Sequence, residues 1–254
     1  MKYVIVSSTS LDSTDIVNKL RKEIRLEYDE KNPDYVITVG GDGTILKAFH
    51  QYNDKIIFAI NAGHLGFYTN YKIDDLDILI NNLNNNTFKV NELNLLNVIF
   101  KINNKLISLD ALNEITIISP LRTLISDIEI DDRLFETFRG SGLCISTPTG
   151  STAYNKSLHG AVIDFNIEAF ELTEIASINS SSYKTLGSPI VFSKNRKIKI
   201  KMIDNDEAYI TIDNLSYKLK DKQIIEVKMS DNKLKIAFDS NEGFAKRLKR
   251  TFLS

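Results

Sequence analysis

Tyr35-Val36-Ile37-Thr38-Val39 leads directly into Gly40-Gly41-Asp42-Gly43-Thr44, and Thr44 opens a segment to Tyr52 that carries Ile45, Leu46 and Phe49 on one side. Five β-branched or aromatic residues in a row read as a buried strand, and apolar residues three and four apart read as one face of a helix. Strand, glycine turn and helix in that order form the repeating unit of an α/β sheet. The same rhythm extends in both directions. Tyr3 to Val6 is a short apolar strand, and Asp12 to Tyr28 reads as a helix with Ile16, Val17, Leu20 and Ile24 on one face and Asp12 or Ser13 as its cap. Ile56 to Ile60 is a third buried strand, and Asp75 to Leu83 is a third helix with Leu76, Leu79, Ile80 and Leu83 in one stripe. Continuous apolar strands separated by amphipathic helices predict an α/β N-terminal domain over residues 1–90, a parallel sheet with flanking helices.

After about residue 90 the period changes to two. Leu96, Val98, Phe100 and Ile102 alternate with more polar neighbours, as do Ile128 and Ile130, Ile198, Ile200 and Met202, and Leu234, Ile236 and Phe238. Each reads as a half-buried antiparallel strand, so residues 91–239 are expected to form a β-rich, sandwich-like C-terminal domain. One helix is expected to start near Ser151, and another around Ile167 to Ala176. The Asn-rich stretch Asn81 to Asn86 reads as a loop or a frayed helix end. Glu242 to Thr251 reads as helical or irregular, and residues 240–254 are expected to pack back on the first domain.

Composition narrows the classes. The chain has 254 residues, 43% hydrophobic and 26% charged, as expected of a protein with a sizeable core. With 32 basic and 33 acidic residues the net charge is −1, which does not point to nucleic acid or an anionic membrane as partner. Lys246, Arg247, Lys249 and Arg250 cluster near the end and read as a solvated helix end. Cys144, the single cysteine, lies in an apolar run and reads as a buried small hydrophobe. No stretch approaches the roughly 18 apolar residues of a membrane span, and Met1 to Val6 is too short for a signal peptide, so a cytoplasmic location is expected.

The glycine turn carries chemistry. In an open α/β sheet, ligands bind outside the carboxyl ends of the strands. Backbone N–H groups of Gly40, Gly41, Gly43 and Thr44, with the helix N-terminus, suit a phosphate. Asp42 inside such an anion site repels phosphate unless it holds a metal ion or accepts a proton from a nucleophile, and both roles belong to phosphoryl transfer. The turn is neither a Walker A loop nor a G-x-G-x-x-G fingerprint. The plainer alternative is a tight turn with an Asp cap.

Three further motifs accompany it. Asn113-Glu114 interrupts the apolar strand Leu109 to Ile118; a buried Glu must be paired, or face a ligand or water. Ser146-Thr147-Pro148-Thr149-Gly150-Ser151-Thr152-Ala153-Tyr154-Asn155-Lys156-Ser157 holds six Ser or Thr in twelve residues, with one aromatic face in Tyr154. That inventory suits a sugar and a base, although a Ser-capped helix would also place hydroxyls there. Gly63-His64-Leu65-Gly66-Phe67-Tyr68 follows the third strand; the Phe67–Tyr68 pair could shield a ligand ring, while His64 reads as structural. No Cys/His cluster has zinc spacing.

Together these motifs, in this order and spacing, resemble the NAD kinase family, in particular its compact bacterial members. The resemblance also covers Phe138-Arg139-Gly140, Ala176-Ser177-Ile178-Asn179 and Thr211-Ile212-Asp213. Gly-Gly-Asp-Gly-Thr is shared with diacylglycerol-type lipid kinases and 6-phosphofructokinases; the Thr147 run is specific to NAD kinases. The family implies phosphorylation of the adenosine-ribose 2′-hydroxyl of NAD, with ATP or polyphosphate as donor and a divalent ion, expected to be Mg²⁺, whose ligands are not assigned. It implies a site between an α/β and a β domain and a homotetramer built from dimers. By resemblance Asp42 is the proton acceptor and Gly43 lies against the nucleotide. Asn113 and Glu114 hold the ribose, Thr149, Thr152, Ala153, Tyr154 and Ser157 surround the adenine and nicotinamide side, Arg139 and Ala176 line the pocket, and Asp213 lies near the nicotinamide.

Two positions depart from the family pattern. Ser141 stands where Asp is usual in Asp-Gly-Leu, an Asp that in compact bacterial members reaches a neighbouring subunit's site; Asn214 stands where His is frequent. Two other functions compete. A lipid kinase would share the glycine turn but needs an apolar entry for acyl chains. A nucleotide-sensing module would gain little from Asp42 beside phosphates.

Overall fold

β1 (Lys2–Ser7), β2 (Glu27–Tyr28), β3 (Tyr35–Gly40) and β4 (Ile56–Asn61) lie side by side in the order β2-β1-β3-β4, every neighbour parallel. This arrangement comes from a computed structural model describing residues 1–8, 11–62, 66–203, 207–220, 222–238 and 243–253, without the side chains of 11 and 12. β3 is central and fully buried, as a strand covered on both faces must be. Three helices accompany the sheet: α1 (Leu11–Glu23), α2 (Asp42–Gln51) and α3 (Leu76–Asn85). Ile16, Leu20 and Ile24 pack with Ile37, Val39, Phe58, Leu79 and Leu83 in one apolar cluster.

Two helix ends differ from the sequence expectation. α1 stops at Glu23 rather than Tyr28, because Glu27 and Tyr28 pair with Lys2 and Tyr3 as a short edge strand. Asn84 Oδ1 takes the Arg25 N–H just past the helix. α3 runs through the Asn-rich stretch to Asn85, and Asn86 ends it in the left-handed conformation (φ 56°) that asparagine tolerates.

The second unit is antiparallel. Its strands are β5 (Lys89–Ile102, from Asn94 on), β6 (Lys105–Ala111), β7 (Glu114–Ile118), β8 (Leu124–Ile130), β9 (Arg133–Gly140), β10 (Gly142–Ser146), β11 (Ala169–Ile175), β12 (Ile190–Ser193), β13 (Lys197–Met202), β14 (Tyr209–Ile212), β15 (Leu215–Lys218) and β16 (Ile224–Phe238, as far as Asn232). One sheet has the order β12-β11-β10-β7-β14-β15; β16, β13, β8 and β9 follow one another in the other. Ile115 and Ile117, Leu143 and Ile145, Phe170 and Leu172, and Ile210 and Ile212 meet Ile128, Phe138, Ile198, Ile200 and Val227 in a single core, so the two sheets form a sandwich.

Two expectations here are corrected. Ile167 to Ala176 is not a helix: residues 169–175 are β11, paired with β10 and β12. Phe170 and Leu172 alternate with Glu171 and Thr173, the period of a strand, and here the polar side is buried as well. The helix near Ser151 is one 3-10 turn, Gly150–Thr152, followed by the single-turn α4 (Tyr154–Ser157).

By contact the chain divides into Met1–Leu93 with Lys233–Ser254, and Asn94–Asn232. The end of β16 is parallel to β4 (Lys235 beside Ile56, Ile236 beside Ile57), whereas period-two alternation at Leu234, Ile236 and Phe238 predicted an antiparallel strand. Alternation reports which face is wet and carries no information on strand direction. α5 (Phe244–Phe252) follows in the first unit. Among the described residues no helix is long and apolar enough to cross a membrane.

Candidate active site

In the first unit the glycine turn leaves β3 at a carboxyl end, and Asp42 is already the first residue of α2, two residues earlier than the sequence predicted. An acidic side chain there meets the positive end of the helix. Asp42 Oδ2 accepts the Phe67 N–H at 2.7 Å and Oδ1 accepts the Tyr68 N–H at 3.0 Å. A Cβ on Gly66 would lie 2.3 Å from Asp42 Oδ1, so only glycine lets the 66–68 turn come this close. Gly40 is equally constrained, since a Cβ there would meet Thr44 Oγ1 at 2.3 Å. Gly41 and Gly43 are not: a Cβ on either would meet open space. Packing among the described residues therefore does not demand glycine at those two positions, while close approach of a phosphate would.

α5 grips the same turn from another side. Arg247 is 2% exposed; it donates to the Phe67 carbonyl at 3.1 Å and to Asn70 Oδ1 at 2.9 Å. Arg250 donates to the Gly66 carbonyl at 3.4 Å. Arg247 is thus a buried anchor and not part of a solvated helix end, as its basic neighbours had suggested; its guanidinium lies over Phe238 and Phe67. Burial pushes the Asp42 pKa up from the usual carboxylate range, against the Phe67 and Tyr68 N–H groups and the charges of Arg247 and Arg250, which pull it down. Phe67 and Tyr68 are buried, with rings perpendicular at 6.1 Å. Gly63, His64 and Leu65 lie outside the described residues.

In the second unit β6 and β7 break at Leu112-Asn113, and that break is held from two directions. The Asp213 carboxylate accepts the N–H groups of Leu112 (2.9 Å), Asn113 (2.7 Å) and Glu114 (3.3 Å). Thr147 and Thr149 donate hydroxyls to the Leu112 carbonyl, and the Thr147 N–H goes to the Asn113 carbonyl. A Cβ on Gly150 would stand 1.9 Å from that Asn113 carbonyl oxygen. The hydroxyl-rich run therefore folds largely on itself: Ser151 donates to the Pro148 carbonyl and accepts the Ile163 N–H, and Thr152 donates to the Thr149 carbonyl. None of these hydroxyls caps α4. Tyr154 stays 40% exposed, and Ser157 is exposed.

The six-stranded sheet turns its apolar face to the core and a polar face the other way. Register places Glu114, Ser146 and Glu171 abreast on that second face, and Thr116, Cys144 and Thr173 abreast beside them. Ser146, Glu171, Thr116, Thr173 and Cys144 are all buried nonetheless. Asn155 of α4 covers them, donating to Glu171 Oε2 and accepting from the Thr173 hydroxyl, while the Ala161 N–H meets Glu171 Oε1. Sequence reading missed this network. The available signal was a Glu inside an apolar stretch, Phe170-Glu171-Leu172, the same signal that singled out Glu114. Burial pushes the Glu114 pKa up to about 7, Asp213 adds to the rise, and the Tyr154 N–H opposes it. Glu114 Oε2 is buried without a hydrogen-bond partner.

The remaining candidates lie along β9 to β11. Arg139 stacks over the Tyr183 ring at 4.1 Å, and its carbonyl accepts the Ile178 N–H. Ala176 is exposed and left-handed (φ 46°). Ser141 is exposed, its N–H on the Ile175 carbonyl.

A family model described as the ATP-NAD kinase N-terminal domain matches residues 7–88, and one described as the ATP-NAD kinase C-terminal domain matches residues 100–238. The NAD kinase of Staphylococcus aureus (strain JH9) is 39% identical over 264 residues, covering 100% of this chain and 98% of that protein. The chain belongs to the NAD kinase family. NAD phosphorylation is the reaction for which these relatives are named, and the chain is an enzyme of that kind. Two solved structures share the fold. Yeast NADH kinase complexed with NADH superposes with a TM-score of 0.85 at 18% identity, covering 100% of this chain and 88% of that one. An NAD kinase from Archaeoglobus fulgidus in complex with ATP superposes with a TM-score of 0.77 at 25% identity, covering 99% and 97%.

Among the described residues no three His, Cys, Asp or Glu side chains come together as a metal cage. Both Asp42 oxygens already accept N–H groups. The described residues thus do not by themselves make a resident metal centre.

Proposed function

We propose that the enzyme transfers the terminal phosphoryl group of ATP to the adenosine-ribose 2′-hydroxyl of NAD, giving NADP, with Asp42 as proton acceptor. The supporting observation is the Asp42 carboxylate itself. It is held by two N–H groups at a helix start, beside two glycines with open space, and burial raises its pKa. A carboxylate so fixed can align a hydroxyl and take its proton as the bond to phosphorus forms. The N–H groups of Gly40, Gly41 and Gly43 are the phosphate contacts in this reading; the Thr44 N–H, also expected there, already donates to the Gly41 carbonyl at 2.9 Å.

Asn113 and Glu114 take the ribose hydroxyls, and the inward pull of Asp213 and Thr147 on residues 112–114 fixes them for that task. Thr149, Thr152, Ala153, Tyr154 and Ser157 surround the dinucleotide; Tyr154 offers a ring, and the hydroxyls of Thr149 and Thr152 shape the loop. Phe67 and Tyr68 act through their N–H groups. Arg139, Ala176 and Ser141 line the pocket's rim. The family resemblance supports a Mg²⁺–ATP donor, a cytoplasmic homotetramer and a role in NADP supply.

Purified protein with NAD, ATP and Mg²⁺ tests the assignment, with NADP detected by an NADP-specific dehydrogenase. Metal-dependent NADP formation is the expected result. A folded protein that binds NAD but yields no NADP with ATP or polyphosphate overturns it.

A further inference from the structure

Three side chains stand abreast on the polar face of the six-stranded sheet: Glu114 on β7, Ser146 on β10 and Glu171 on β11. Directly opposed residues of antiparallel strands have Cβ atoms about 5 Å apart on the same face. Glu171 is satisfied, with one oxygen on Asn155 and the other on the Ala161 N–H. Ser146 is fully buried, yet its Oγ has no hydrogen-bond partner, and neither has the buried Oε2 of Glu114. A buried polar atom without a partner is costly, and two such atoms side by side are complementary, since a hydroxyl donates and a carboxylate oxygen accepts.

We propose that Ser146 is a positioning residue for Glu114: its hydroxyl donates to the inward oxygen of the ionised carboxylate and so fixes the outer oxygen for the ribose of NAD. The side-chain reach suits this, because one χ1 rotation of serine sweeps Oγ toward either neighbour and Glu171 is already engaged. The proposal rests on Glu114 as an NAD contact. The groups that face Glu114 are Asp213 beyond β14, the Tyr154 N–H of α4, Cys144 and Ser146 on β10, and Glu171 on β11. Of these, Ser146 is the side-chain hydroxyl directly opposite it.

The test is Ser146→Ala in the full-length protein, with Ser146→Thr as the hydroxyl-retaining control. The Glu114 side-chain carboxyl is followed by carbon NMR across pH, its resonance assigned with Glu114→Gln. Loss of a donor to the charged form moves the Glu114 midpoint up by about one pH unit and raises the KM for NAD at neutral pH on the order of tenfold, with kcat little changed. Ser146→Thr keeps the wild-type midpoint. A hydroxyl that merely fills space is removed without consequence, so an unchanged midpoint in Ser146→Ala overturns the proposal. A moved midpoint with unchanged KM retains the Ser146–Glu114 pair and removes Glu114 from NAD binding.

Discussion

The α-carbon of Gly66 lies against the Asp42 carboxylate so closely that a Cβ there would come within 2.3 Å of Oδ1. That contact, with the N–H groups of Phe67 and Tyr68 on the two oxygens, fixes the direction in which the carboxylate points. Gly66→Ala must therefore move either the turn or the acid. Overpacking of this kind costs about 1–3 kcal/mol, and displacing a catalytic group by an ångström costs on the order of 10²-fold in rate. Thermal unfolding and steady-state kinetics on the same preparation check both. A variant with wild-type kcat would show that the Gly66 contact does not set the geometry of Asp42.

Asp42→Asn retains shape but not acceptor capacity. One end of the amide becomes an NH₂ aimed at the Phe67 or Tyr68 N–H, and the carboxylate proposed as proton acceptor is lost. Turnover is expected to fall on the order of 10²-fold or more, with NAD affinity largely kept. Calorimetric titration of NAD beside kcat separates the two; near-normal turnover rules out Asp42 as the base.

Arg247 joins α5 to the Asp42 turn. Arg247→Ala leaves the Phe67 carbonyl and Asn70 Oδ1 without these donors and opens space beside Phe238. The expected loss is about 2–4 kcal/mol in urea unfolding. Arg247→Lys recovers little, because one ammonium does not reproduce a two-pronged guanidinium. Arg247 also draws the Asp42 pKa down, so removing it lets that pKa rise, and the acid limb of the pH–rate profile moves to higher pH.

Glu114 gives stability a pH dependence. Its pKa rises from 4.5 in the unfolded chain to about 7 in the fold. The folded state therefore holds the proton more tightly, and stability falls as pH rises from the unfolded value through the folded one. The difference corresponds to about 3 kcal/mol. Glu136, also raised to about 7 by burial and by Glu174, slopes the same way. The comparison must therefore be wild type against Glu114→Gln, which is expected to gain on wild type between pH 5 and pH 8 in urea midpoints. Parallel curves would show that Glu114 titrates normally.

The parallel sheet was legible because β1, β3 and β4 are continuous apolar runs, a pattern that few other environments produce. The glycine turn, Asn113-Glu114 and the Thr147 run were legible because each puts polar or flexible residues where an apolar core would be simpler. β11 was misread although Phe170-Glu171-Leu172-Thr173 alternates apolar and polar residues; what was not legible is that Glu171 and Thr173 are buried in a polar network rather than facing water. Arg247 was not either: among basic neighbours nothing local distinguishes a guanidinium buried against Phe67 and Asn70 from one in water. Both depend on residues distant in sequence, Asn155 in one case and the 66–70 turn in the other.

The peptide at Leu112 is held by residues remote from it along the chain. Its carbonyl accepts a hydroxyl from 35 residues downstream, and its N–H is taken by a carboxylate 101 residues downstream. Asn113-Glu114, the Thr147 run and Asp213 are three motifs in sequence but one mechanical joint in space. They cannot drift separately over evolutionary time: a substitution at Thr147 changes what a substitution at Asp213 does, and relatives that alter one should carry a compensating change in another.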